Sequence, residues 1–150
     1  SDSTSNEWYI TGVQMEVGSV ATEFEHRSFG EELARCLRYY WKHGASEENE
    51  IYYRYGSHGE SISATQAQVM QQFPVRMRAH PTLTVNGDVD WYSNGSIVGP
   101  SGSFSVDGNS GGTYATCIVN TTLSGLTSGR AGTFLSNNNT TSNMEWDAEL

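Results

Sequence analysis

Closely spaced turn signals leave the second half of this chain no room for long helices. Asn86-Gly87, Asn94-Gly95 and Asp107-Gly108 are each pairs that favour a tight type I′ turn. Around them lie short runs rich in β-forming residues, Thr82–Val85, Asp88–Tyr92 and Tyr114–Val119, with Gly132–Leu135 and Met144–Asp147 further on. Thr82–Val85 and Asp88–Tyr92 flank Asn86-Gly87 and are expected to pair as a hairpin. Strands this short, with a turn roughly every 8–12 residues, point to a sandwich or a barrel. The expected fold is mainly β: a β-sandwich or barrel of short antiparallel strands.

One helix interrupts this pattern near the N-terminus. Ser28 and Glu31 have the spacing of a capping box. Glu31 and Glu32 sit where the helix dipole favours anions, and Arg35, Arg38 and Lys42 where it favours cations. Gly44 reads as the stop. Leu33, Cys36, Leu37, Tyr40 and Trp41 form an apolar stripe at helical spacing. The stripe needs a partner surface, either a sheet of the same chain or the same helix in neighbouring subunits.

Other stretches of the first half read as strands. Tyr9–Val17 alternates, with Tyr9, Thr11, Val13, Met15 and Val17 on one side. Glu50–Tyr55 is rich in β-formers, with Tyr53 and Tyr55 on one face and Tyr52 on the other. Thr65–Phe73 has helical propensity, but Phe73-Pro74 would end a helix there, so strand is favoured. Val75, Met77 and Ala79 should face in, and Arg76 and Arg78 out.

Composition agrees with a turn-rich β fold. The chain has 150 residues, 36% hydrophobic and only 17% charged, with 16 glycines. That length suits one domain with a real core. The net charge of −9 argues against nonspecific nucleic-acid binding. No apolar run approaches the roughly 18 residues that a membrane span needs. The polar start lacks a signal-peptide pattern, and residues 1–7 read as a linker from an upstream region. Residues 8–150 read as a single β-rich domain. Cys36 and Cys117 are expected to be buried free thiols, with a disulfide the alternative.

No stretch carries a catalytic signature. There is no H-E-x-x-H run, no G-x-S-x-G elbow and no set of zinc ligands at the right spacing. A carboxylate pair for glycosidase chemistry can always be imagined among 17 acidic residues, so it has no specificity. No catalytic residue, metal or cofactor is therefore assigned. Asp88-x-Asp90 beside Trp91 could be a fragment of a cation or sugar site, or the decoration of a hairpin. Alternation leaves the facing of Trp91 undecided.

Four blocks in a fixed order carry a resemblance. They are Ile10-Thr-Gly-Val-Gln-Met-Glu-Val-Gly18; Ala21-Thr-Glu-Phe-Glu-His-Arg-Ser-Phe-Gly-Glu-Glu-Leu-Ala-Arg-Cys36 with Arg38-Tyr-Tyr40; Phe73-Pro-Val-Arg-Met-Arg-Ala79 with Pro81-Thr82; and Asp147-Ala-Glu-Leu150. Together they resemble the C-terminal region of bacteriophage tail-fibre and virion structural proteins. The chain departs from that pattern at Glu23, where proline is common, and at Leu37, where glutamine is common. The stretch from Asp88 to Asn143 resembles nothing named.

The resemblance implies a fibre-tip domain on the virion, extracellular, homotrimeric and joined to an upstream fibre shaft. The trimer interface would use Leu33, Leu37, Tyr40 and Trp41. The implied role is host attachment by binding a bacterial surface glycan or protein. Ligand contacts are expected at Trp91, Tyr92, Asp88, Asp90 and Asn94, in the half that lacks the resemblance and is rich in Asn, Ser, Thr and Gly. The alternatives are a depolymerase-associated fibre domain that degrades polysaccharide, and a purely structural trimerisation cap.

Overall fold

The computed structural model describes residues 9–44, 52–99, 102–107 and 115–149. The linker expected at 1–7, the loop after Gly44, Gly108 of the third turn pair and the start of the Tyr114 strand lie outside these residues.

The fold is mainly β, as expected, with one short helix and two open antiparallel sheets. Helix α1 spans Phe29–Leu37. The strands are β1 (Tyr40–Gly44), β2 (Arg54–Ser61), β3 (Gln66–Gln72), β4 (Thr82–Asn86), β5 (Val89–Ser93), β6 (Ser96–Val98), β7 (Phe104–Val106), β8 (Thr116–Thr122), β9 (Ala131–Ser136) and β10 (Asn143–Asp147). The small sheet has the order β1-β10-β4, and the large one β6-β5-β9-β2-β3-β8-β7. One core joins them. Tyr55, Trp91 and Phe134 come from the large sheet, Met144 and Trp146 from the small one, and Phe73 and Met77 from the link between β3 and β4.

The capping box forms as the sequence predicts. The Ser28 hydroxyl accepts from the Glu31 amide at 3.3 Å, and the Glu31 carboxylate accepts from the Ser28 amide at 3.1 Å. The helix is shorter than predicted. It ends at Leu37, and Tyr40 and Trp41 lie on a strand instead of a continued helical stripe. Aromatics favour strands, and Tyr40–Gly44 pairs along its whole length with β10. Lys42 faces Glu145 across that ladder, with a 3.0 Å ion pair.

Two predicted hairpins have opposite outcomes. At Asn94-Gly95 both residues take positive φ, 51° and 80°, and Ser93 pairs with Ser96. This is the geometry a type I′ turn requires. At Asn86-Gly87 only the glycine has positive φ, 73°. The expected hairpin does not form: β4 pairs with β10 while β5 pairs with β9, so the chain changes sheets there. Ser142 holds the crossing by donating to the Asp88 carbonyl at 2.6 Å.

Three further expectations are corrected. Tyr9–Val17 joins no sheet, and its apolar side chains are exposed, Met15 at 97%. Alternation is necessary for a half-buried strand, but a strand also needs an edge to pair with. Val75–Ala79 is likewise not a strand, although its facing is right: Met77 is buried, and Arg76 and Arg78 are exposed. Cys36 is exposed on α1, whereas Cys117 is buried on β8; both thiols are free. Thr65–Phe73 is resolved as strand, since Gln66–Gln72 forms β3.

Trp91 is wholly buried, and its ring centroid lies 5.4 Å from that of Phe134. The opposing strand makes room for it with Gly132, where an added Cβ would stand 2.3 Å from the indole. Trp91→Ala should therefore lower stability by roughly 3–5 kcal/mol, read from urea denaturation midpoints. A loss below about 1 kcal/mol would mark the ring as peripheral to the core.

Candidate ligand surface

The residues predicted to hold a ligand do not form one open site. Trp91 points into the core and offers no face to a sugar, which corrects the expectation that it anchors a ligand. Asp90 is also buried, at 4% exposure. On β5 it lies between Val89 and Trp91, but it faces the opposite side of the sheet from the indole. One carboxylate oxygen, Oδ1, has no hydrogen-bond partner. Gly99 comes so close that a Cβ there would meet the carboxylate at 2.2 Å.

The other three residues stay accessible to some degree. Asp88 is exposed and lines a shallow cavity of about 550 Å³ with Asp90, Ile97, Gly99 and Asn137. Tyr92 is half-buried, and the Arg54 guanidinium lies over its ring, 4.7 Å from the centroid. Asn94 is exposed at the tip of the β5–β6 turn. Asp88 and Asp90 thus share a cavity that excludes Trp91. Tyr92 alternates onto the same sheet face as Asp90 and pairs with Ile97 of that cavity, whereas Asn94 lines a different one. Among the described residues, no three histidine, cysteine or acidic side chains converge as metal ligands.

The four proposed interface residues are also dispersed. Leu33 is 43% exposed and Tyr40 45%. Leu37 and Trp41 are half-buried. Trp41 packs edge-on against Phe73, with centroids 5.7 Å apart, and stacks on His43 at 4.2 Å. It is therefore engaged with its own chain. No residue of α1 is buried, so the helix face bearing Leu33 is open.

The sequence reading missed a basic cleft. Arg35 and Arg38 of the α1 end and Arg76 and Arg78 of the β3–β4 link line one cavity of about 520 Å³, with Val75 and Ala34 on its walls. The two segments are pinned together by the Arg78 amide, which donates to the Arg38 carbonyl at 2.8 Å. Arg78 also lies over the Tyr39 ring at 5.4 Å. The sequence does show Arg76 and Arg78 facing out, and it shows the cations late in the helix. It holds no signal that brings the two pairs together.

Beneath these surfaces sits an aromatic cluster of Trp41, His43, Tyr53 and Tyr55. Tyr53 and Tyr55 share a face as predicted, and Tyr52 is exposed. The Nε2 of His43 is buried without a hydrogen-bond partner. Burial pushes its pKa down from 6.5 to about 4. Burial also pushes the Cys117 thiol up to about 12, so it is no nucleophile at neutral pH.

No protein-family model, curated protein or solved structure matches this chain. Among the described residues, no helix is long and apolar enough to cross a membrane.

The His43 environment generates a pH prediction. The folded protein holds His43 neutral down to about pH 4, whereas the unfolded chain takes up a proton near 6.5. Between those values the unfolded state binds more protons. The stabilisation is complete above pH 6.5 and falls away as the pH drops toward 4. The loss should amount to roughly 2–3 kcal/mol. In His43→Phe that slope should vanish from denaturation midpoints measured across the same window. An unchanged slope would place the acid sensitivity elsewhere.

Proposed function

We propose that this chain is the tip domain of a bacteriophage tail fibre. It assembles as a homotrimer on the virion, continues an upstream fibre shaft, and attaches to a bacterial surface glycan or protein without catalytic turnover. The order and spacing of the four sequence blocks support the family. The assembly rests on one observation: a concentration of exposed apolar side chains in and just before α1. Tyr9, Ile10, Val13, Met15, Val17, Val20 and Phe29 each leave at least three quarters of their surface open, and Leu33 lies near Phe29 on α1. A run of exposed apolar side chains of this kind suits an interface.

The surfaces left for a receptor are the exposed turn at Asn94 with the Tyr92 ring beside it, and the arginine cleft. A purely structural trimerisation cap is the second reading. The burial of Trp91 and Asp90 favours it, because it withdraws two of the five expected ligand contacts.

Light scattering on the purified chain should give about three times the protomer mass of 16.5 kDa. A protomer mass at micromolar concentration would defeat the assembly. Leu33→Asp should split the trimer yet leave protomer stability within about 0.5 kcal/mol, because this side chain is not part of the core. Fluorescently labelled protein should bind host cells, and a cap would not. Release of reducing ends from host capsule would replace the binding role with a depolymerase.

A further inference from the structure

Half of the cationic charge of this acidic chain converges on one cleft. Of eight lysines and arginines, four line the cavity between the end of α1 and Val75–Arg78. Like charges gathered this way repel one another, and proteins ordinarily relieve that with carboxylates. Elsewhere this chain does so. Arg27 binds Glu25 and Glu32, and Lys42 binds Glu145. Arg35, Arg38, Arg76 and Arg78 form no ion pair with any described residue.

Part of the cluster has a local explanation. Arg35 and Arg38 lie at the C-terminal end of α1, where the helix dipole favours cations by about 0.3–1 kcal/mol each. Arg76 and Arg78 have no such reason to be there. Their facing follows from burial of Met77 between them, and the Arg78–Arg38 backbone bond holds them against the helix end. The geometry is therefore fixed by main chain and core, not by a bound counter-charge.

A second cavity of about 480 Å³ adjoins the cleft. The two share Arg35 and Arg38, and the second adds Tyr39 and Arg27. The carboxylate on its wall, Glu32, is taken up by Arg27 at 2.7 Å. The result is a pair of adjoining basic cavities with more than one position for an anion. A single small ion would leave most of it unused, while a repeating polymer of anions would fill it. Guanidinium groups suit this role, since each presents a planar fork that matches the oxygens of a carboxylate, sulfate or phosphate. The overall charge of −9 does not forbid this. At physiological salt, fields are screened within about 8 Å.

We propose that the groove formed by Arg35, Arg38, Arg76 and Arg78 binds an acidic polysaccharide through the oxyanions of its repeating units. The proposal deepens the attachment reading and rests on it for the choice of a glycan over other polyanions. It also moves the contact from the acidic second half, where the sequence suggested it, to the two segments that carry the family resemblance.

The test uses the full chain and defined probes: a uronic-acid oligosaccharide, a sulfated dextran oligosaccharide, neutral dextran, and a polyglutamate of matched charge. Fluorescence anisotropy should show binding to at least one acidic oligosaccharide and none to neutral dextran. Affinity should fall about tenfold or more between about 50 and about 200 mM NaCl, as expected when several anion contacts release counterions. Arg76→Ala/Arg78→Ala and Arg35→Ala/Arg38→Ala should each weaken binding at least about tenfold, with the fold retained and the melting temperature lowered by no more than roughly 10 °C. Arg54→Ala, outside the groove, should bind as the parent does. Failure of both acidic oligosaccharides to bind would overturn the proposal. So would parental affinity in both double variants, or equally tight binding of polyglutamate. If host cells still bind the double variants, the attachment reading stands and only this groove is excluded.

Discussion

The contact between Phe73 and Trp146 is the one on which the two-sheet arrangement depends. The rings meet edge-on with centroids 5.1 Å apart, and Trp146 is wholly buried. Trp146 lies on β10, the middle strand of the small sheet, and Phe73 immediately follows β3 of the large one. Trp41 of β1 packs on the same phenylalanine. Tyr55 of the large sheet donates its hydroxyl to the Ser142 carbonyl at 2.7 Å, just ahead of β10. A short three-stranded sheet has too little surface to stand by itself. These aromatic contacts add about 0.5–1.5 kcal/mol per pair beyond area burial. They also place Val75–Arg78 over the end of α1, so the arginine cleft is a by-product of the same core.

What could be read from the sequence divides along the range of the forces involved. The capping box at Ser28 and the turn at Asn94-Gly95 are local, and both form as read. The facing of Met77 between Arg76 and Arg78, and of Tyr55 against Tyr52, follows from alternation and is also right. Whatever depended on a distant partner was not legible. Tyr40 and Trp41 fit a helical stripe equally well until β10, some hundred residues on, pairs with them. Asn86-Gly87 has the hairpin dipeptide, yet β10 claims β4 and β9 claims β5. Only the unequal φ values of the two pairs reveal the difference. Among the site residues, Trp91 and Asp90 alternate correctly, but no local rule says that both faces of the sheet are covered at β5.

Charge is partitioned more finely than the sequence suggests. Read along the chain, both halves are net acidic, but seven of the eight lysines and arginines lie before His80. Read in space, Arg54 lies over Tyr92 of the second half, and Lys42 pairs with Glu145 near the C-terminus. Two of the cations that the first half contributes are thus neutralised or stacked by the second. The four arginines of the cleft are left over. Their concentration in one place is a property of the fold, since the two contributing segments are separated by three strands in the chain.

The proposed assembly and the proposed groove are compatible, because the leucines and arginines of α1 lie on different faces. A helix turns by about 100° per residue, so Leu33 and Leu37 lie close together, with Arg38 and Arg35 roughly 100–160° round the axis from them. Neither face is buried in the protomer. A partner docking on the leucine face and the exposed segment before it would leave the arginine face clear. Such docking would also bury apolar surface beside α1 and fix the helix that positions Arg35 and Arg38. Trimer formation would then tighten the groove as well as triplicate it. In the proposed trimer, three weak sites on one tip would gain through avidity what each lacks alone.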